Sequence, residues 1–305
     1  MKRRSDFGVQ RPGAARWLAA RLSIALAVLI VTGCTAGFVY QRLDSLAAWY
    51  VGSYVTLTDA QEERFRQGVR GVVAWHRETQ LPRYLEYLQQ LSAASDTPFD
   101  ASWLAGRYDH AMSMLDDLLV FAVPPVVEAF RGLDERQLSE LRANLEEENE
   151  ELWEEYAGES ADERRERRLR SALKSLRRFV GPLSGEQEAL VSARLEGLAD
   201  VSGQWIERRR HWQNRFLGLM SRPQPGPAFA AAVTDLLRRP DQFDDGEYAG
   251  RVADNRAIIE AMLADLSRDF TDRQRRHLQR EFHDMATGLR KLAEPAQAFG
   301  AADEQ

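Results

Sequence analysis

The sequence predicts an all-α protein: a multi-helix bundle of about ten helices behind a cleavable leader. Three observations predict it. Apolar residues recur at three- and four-residue spacing through most of the chain, as in Leu278, Phe282, Met285, Leu289 and Leu292. That spacing puts core-facing groups on one side of a helix. Four segments repeat one helix-start signature: an apolar residue, a capping residue, and Gln three positions later. No window alternates apolar and polar residues, with β-branched enrichment, for long enough to suggest a sheet.

The leader comes first. Lys2, Arg3, Arg4, Arg11, Arg16 and Arg21 stand against the single acid Asp6, and the uncharged run from Leu22 to Val31 follows. A basic segment followed by an apolar one is the pattern of a secretory signal. Val31-Thr32-Gly33-Cys34 closes it with the chain's only cysteine. This tetrapeptide resembles a bacterial lipobox, which implies cleavage before Cys34 and acylation of that residue. The expected layout is a lipoprotein signal peptide at 1–33 and an acylated N-terminus with a juxtamembrane helix at 34–56. A helical domain at 57–295 and a frayed tail at 296–305 complete it. The alternative is an uncleaved inner-membrane span, since Leu22 to Tyr40 carries no charge and is long enough to cross. Either way the remainder lies outside the cytoplasm. Thr35 after the cysteine, by resemblance to enterobacterial sorting rules, favours the periplasmic face of the outer membrane.

The chain carries a formal charge of −6; removing the leader's six bases and one acid takes it to −11. An acidic chain lacks the basic field that nucleic-acid binding requires, so nucleic acid is not an expected partner. A single Cys excludes a disulfide framework and a thiolate-rich zinc site.

The helices are expected at 41–54, 58–79, 81–94, 98–122, 124–131, 134–157, 160–180, 184–221, 226–238, 244–269 and 271–293. Leu57-Thr58-x-x-Gln61, Leu133-Asp134-x-x-Gln137, Leu183-Ser184-x-x-Gln187 and Phe270-Thr271-x-x-Gln274 start four of them. In such a capping box the cap oxygen takes the N3 amide and the Gln reaches back to the cap amide. Ser160-x-x-Glu163 and Asp244-x-x-Glu247 are further boxes, and Thr97-Pro98 places Pro in a first turn. Leu118 to Val127 is apolar all round, predicting the centre of the fold, with a break at Pro124-Pro125. Leu198, Trp205, Trp212 and Leu219 repeat every seven residues and carry one stripe through 184–221. Arg222 to Pro227 reads as a loop. The Gln boxes fall 76 residues apart in the first pair and 87 in the second, which suggests two duplicated halves; independent use of a common cap is the other reading.

Charge is organised in runs. Eight acids between Glu146 and Glu159 precede eight bases between Arg164 and Arg178. An antiparallel hairpin with a ladder of ion pairs is the expectation. Catalytic patterns are thin. His76, His110, His211, His277 and His283 form no H-E-x-x-H arrangement, and there is no G-x-S-x-G or phosphate-binding Gly loop. No enzyme, metal or cofactor is expected. Two clusters stand out instead: Trp75, His76 and Arg77 with Arg83 and Tyr84, and Arg209, Arg210 and Trp212 with Asn255 and Arg256. They are candidates for a binding groove or for internal satisfaction of polar groups.

The lipobox, Tyr40 to Val51, Trp75-His76-Arg77, Leu81-Pro82-Arg83-Tyr84, Glu163-Arg164-Arg165 and Arg209 to Gln213 together resemble a family of uncharacterised proteobacterial lipoproteins. That resemblance implies a lipid-anchored helical envelope protein and brings no activity with it. The apolar-Thr-x-x-Gln boxes are similar to those of the small periplasmic Spy and CpxP chaperones, although Asp134 and Ser184 depart from the Thr. The expected function is a lipid-anchored periplasmic binding or scaffold protein, chaperone-like in mode. It is held to the membrane by acyl chains on Cys34, with a protein or envelope component as partner. An envelope enzyme acting on glycan or lipid and a purely structural tether are the alternatives.

Overall fold

The computed structural model describes residues 34–156, 158–222, 226–239 and 246–293. The leader, residues 223–225 of the Pro-rich loop, Asp244, and the tail from 294 lie outside the described residues. Within them the chain is all-α. The helices are α1 (Cys34–Gln41), α2 (Leu43–Gly52), α3 (Asp59–Trp75), α4 (Leu81–Ala94), α5 (Ala101–Val127), α6 (Glu135–Tyr156) and α7 (Ala161–Val180). They continue with α8 (Gly185–Glu196), α9 (Ser202–Met220), α10 (Gly226–Arg238), α11 (Glu247–Arg268) and α12 (Asp272–Ala293). None of the described helices is long and apolar enough to cross a membrane.

The four Gln boxes form as expected, and each Gln then does a second job. Thr58, Asp134, Ser184 and Thr271 each donate their backbone amide to the Gln three residues on, at 2.9–3.0 Å. The N3 amide bonds back to each cap side chain. The free ends of the Gln amides meet in pairs. Gln61 and Gln137 donate to each other's oxygen at 3.3 and 2.8 Å, and Gln187 and Gln274 at 3.1 and 2.8 Å. Gln137 also donates to the Thr56 carbonyl, Gln187 to that of Asp269 and Gln274 to that of Pro182. Each acceptor lies two residues ahead of the partner's cap. So the start of α3 is locked to the start of α6, and that of α8 to that of α12, by one repeated device whose amides are buried and satisfied.

The two halves in chain order, α1–α6 and α7–α12, interlock. α4 packs along α12, α6 along α9, and α10 against α5. One core gathers Val55, Val123, Val127, Leu141, Leu217, Phe229 and Val233; a second joins Tyr40, Leu81 and Leu88 to Met285, Leu289 and Leu292; a third holds Val191, Leu195, Met262 and Leu266.

Five expectations are corrected. First, α3 and α4 are not separated. A π-turn, His76–Gln80, joins them, and the Leu81 amide donates five residues back to the His76 carbonyl. The widened turn admits Pro82, which has no amide to offer an α-helical ladder. Second, α5 starts later than Thr97-Pro98 implied, because Asp100 supplies the cap, its carboxylate accepting from the Trp103 amide at 2.7 Å. Third, Pro124 and Pro125 lie inside α5 rather than breaking it. The carbonyls they leave without donors belong to Val120 and Phe121, exposed residues that water can serve. For the same reason the run 118–127 is not buried on all sides: Val123 and Val127 are core, Val120 and Phe121 are not.

Fourth, the hairpin of opposite charges does not form. α6 packs on α9, while α7 turns away to α8 and α12. Of the basic run, Arg167 pairs with Glu159, but Arg164 pairs with Asp200, Arg165 with Asp162, Arg170 with Glu166 and Arg177 with Glu188, acids outside 146–159. Adjacency in sequence did not become adjacency in space, because apolar packing, worth more per residue than an exposed ion pair, assigns α6 elsewhere. Fifth, 184–221 is two helices. α8 stops at Gly197 and α9 begins at Ser202, so Leu198 leaves the seven-residue stripe for the connecting loop.

Candidate functional site

The residues singled out by sequence do not converge on one groove. They fall in three places, each with internal partners. The first surrounds His76. The Tyr40 hydroxyl lies 2.9 Å from His76 Nδ1 and 3.3 Å from the Val73 carbonyl. Tyr84 meets the imidazole edge-on at 5.4 Å. Arg77 lies over the Tyr40 ring and donates to the Leu292 carbonyl of α12 at 3.1 Å. Burial pushes the His76 imidazole down to about 4, and burial raises the Tyr40 hydroxyl to about 12 despite the nearby Arg77 charge. Both are therefore neutral at neutral pH. Trp75 points the other way and stacks on Phe121 of α5 with centroids 4.0 Å apart. Arg83 pairs with Asp117 at 2.6 Å. A shallow groove lined by Tyr40, Leu43, Asp44, Arg70, Val73 and Arg77 runs beside the cluster.

The second place is the α6–α9 seam. Arg209 pairs with Glu148, both side chains almost fully buried, and donates to Asn149 at 2.9 Å. The Asn149 and Gln213 amides meet at 2.6 Å. Tyr54 also bonds Glu148 and lies 2.8 Å from the Tyr50 hydroxyl; burial, the bond to Tyr50 and the Glu148 charge all raise its pKa. Arg210 pairs with Glu146 and Glu207 at 3.0 and 3.1 Å. Trp212 sits apart, donating to the Leu236 carbonyl at 3.1 Å and stacked on Phe216.

The third place is α11. Asn255 clasps the backbone of Ala199, accepting from its amide at 2.8 Å and donating to its carbonyl at 2.9 Å. Arg256 donates to the Ala105 carbonyl, pairs with Asp109 and Glu260, and lies 4.1 Å over the Tyr108 ring.

Sequence reasoning missed Glu148, Asn149 and Tyr54, and had Gln213 only as the end of the segment Arg209 to Gln213, not as a site residue. A signal existed for two of them. Asn149 stands in register with Leu145, Leu152 and Tyr156, and Gln213 with Ile206, Leu217 and Met220. A polar residue at an apolar position of a helical stripe marks a buried hydrogen-bond network.

Among the described residues no three His, Cys, Asp or Glu side chains converge as a metal site. What the surface does offer is apolar. Tyr108, Met112 and Leu115 step along one face of α5 and are exposed; one turn further on, Leu119 enters the first core. Val252 and Ile259 are exposed on α11 and flank Arg256 at helical spacing, and Arg256 reaches Tyr108. The two strips thus border each other.

Cys34, the expected acylation site, opens α1 as the first described residue. No curated protein and no solved structure matches the chain. Residues 53–249 match a family of unknown function, DUF6279, reaching from the end of α2 to the start of α11; the chain belongs to that family.

Proposed function

We propose that this chain is a lipid-anchored periplasmic binding or scaffold protein of the bacterial envelope. In this reading acyl chains on Cys34 hold it to the outer membrane and an apolar face engages its partner in a chaperone-like manner. The observation that carries the reading is the exposed strip of Tyr108, Met112 and Leu115 bordered by Val252 and Ile259. The polar residues that could have suggested chemistry are already engaged within the fold, whereas these apolar groups are in water. Contiguous exposed apolar surface rimmed by charge is a common mark of an interaction site.

The test is photo-crosslinking in cells from position 112. The expected result is a protein adduct that disappears in Leu115→Asp while the helical circular dichroism of that variant matches wild type. An unchanged adduct in Leu115→Asp, or no adduct at all, removes the binding reading. For the anchor, Cys34→Ala should leave the leader attached; cleavage at the same bond and unchanged flotation with outer membranes would refute it.

A further inference from the structure

We infer that the exposed face of α2 lies against the phospholipid surface, with Leu46 and Trp49 seated in the interfacial layer. The inference rests on the reading that Cys34 is acylated. Trp49 is 69% exposed, more than any other large apolar side chain among the described residues, and Leu46 is 43% exposed. Arg42, Leu46, Trp49 and Ser53 follow each other at four- and three-residue steps, so they share one face, and no acid stands among them. A basic residue followed by Leu and Trp on one side of a helix is the composition of an interfacial surface. Trp in particular matches the boundary, with an apolar body and an N–H that seeks a polar partner.

The occupant follows from chain length. Tyr40 is buried on His76 and Val73 only six residues beyond Cys34, so no slack linker separates anchor and body. Leu46 is twelve residues from Cys34, and at about 1.5 Å per helical residue it lies within about 18 Å of the anchor. The acyl chains end in the hydrocarbon and the cysteine stands in the headgroup layer, which is several ångströms thick. A body pinned this closely has to rest some surface on the membrane. The inner side of α2 is already used, packing on α3 through Ala48 and Phe65. Its acid, Asp44, is held by Arg70 at 3.1 Å. The side left for lipid is the one carrying Leu46 and Trp49.

The experiment uses the protein purified from membranes and reconstituted into phosphatidylethanolamine–phosphatidylglycerol vesicles, a share of whose acyl chains carry bromine, a short-range quencher of indole fluorescence. Bromine should quench the wild type, Trp49→Phe should lose most of that quenching, and Trp153→Phe, altering the exposed Trp of α6, should retain it. Equal quenching in wild type and Trp49→Phe, or none in either, overturns the inference. The mass of the N-terminal peptide reports acylation of Cys34 in the same sample. An acylated protein without Trp49 quenching leaves the anchor standing and removes the docking face. An unacylated protein with Trp49 quenching removes the anchor and keeps the face.

Discussion

Inside each half of the molecule, two helix starts are locked together by neutral amides: Gln61 with Gln137, and Gln187 with Gln274. Between the halves the polar contacts are mixed: the Asn149 and Gln213 amides meet there too, but beside charged groups. Arg209 of α9 pairs with Glu148 of α6 out of water, and the neutral His76 cluster sends Arg77 to the Leu292 carbonyl of α12. The first device is repeated and does not titrate; the second occurs once, is varied, and includes charged and pH-sensitive groups. The difference teaches that the repeat is a matter of local chain geometry. The assembly of the halves depends on groups that occur once, so the two kinds of contact should fail under different conditions.

The largest effect is expected at the charged seam. Arg209→Ala leaves Glu148 buried without its main counter-charge and should cost about 3–5 kcal/mol in denaturant unfolding. The pair Glu148→Leu with Arg209→Met should cost clearly less, because it removes both charges together. A double variant as unstable as the single one would show that the seam depends on the hydrogen bonds of the pair and not on charge balance.

The next effect is the pH dependence of the His76 cluster. In the folded chain burial holds this imidazole at about 4, whereas an unfolded His titrates near 6.5. Between those values the unfolded state binds the proton and the folded state does not, so stability is complete above about pH 6.5 and is lost as the pH falls towards 4. Wild type should lose about 2–3 kcal/mol between pH 7.5 and 4.5 beyond what His76→Asn loses. Parallel losses in both proteins would assign the dependence to other groups.

The smallest effect sharpens the comparison within the repeat. Gln274 donates to both Gln187 and the Pro182 carbonyl; among the described residues Gln61 donates only to Gln137, and the residue two ahead of that partner's cap is Gly132, in a left-handed turn at φ 90°. Gln274→Ala should cost about 1–3 kcal/mol, and Gln61→Ala less, with the same difference at pH 7.5 and 4.5. Equal costs would mean that the second donor bond contributes nothing.

Much of this architecture is legible in the sequence. Capping boxes are local, and Thr58, Asp134, Ser184 and Thr271 start their helices as read. Their Gln partners were legible only as spacing, since which helix start faces which is a tertiary fact. Errors came where local signals compete. Gly197 ends a helix across which the stripe of Leu and Trp seemed continuous, and Pro124-Pro125 survives inside a helix because the carbonyls it strands are at the surface. The charge runs misled most, because exposed ion pairs are too weak to choose a fold. Of the candidate site, the polar clusters were found and their partners were not. The strip of Tyr108, Met112 and Leu115 was invisible, because an apolar stripe reads the same whether another helix covers it or water does.

The π-turn at His76–Gln80 sets the gearing of the longest continuous rod among the described residues. Each residue of an α-helix advances the side chains by about 100°, so the extra residue accommodated in that turn rotates everything after it relative to everything before. Upstream, Phe65 and Trp75 address α2 and α5; downstream, Leu81 and Leu88 address α12. Deleting a single residue between His76 and Gln80 would restore regular α-helical spacing and swing Leu81 and Leu88 off α12 by that angle. One wide turn thus lets one continuous helix serve partners that lie on different sides of it.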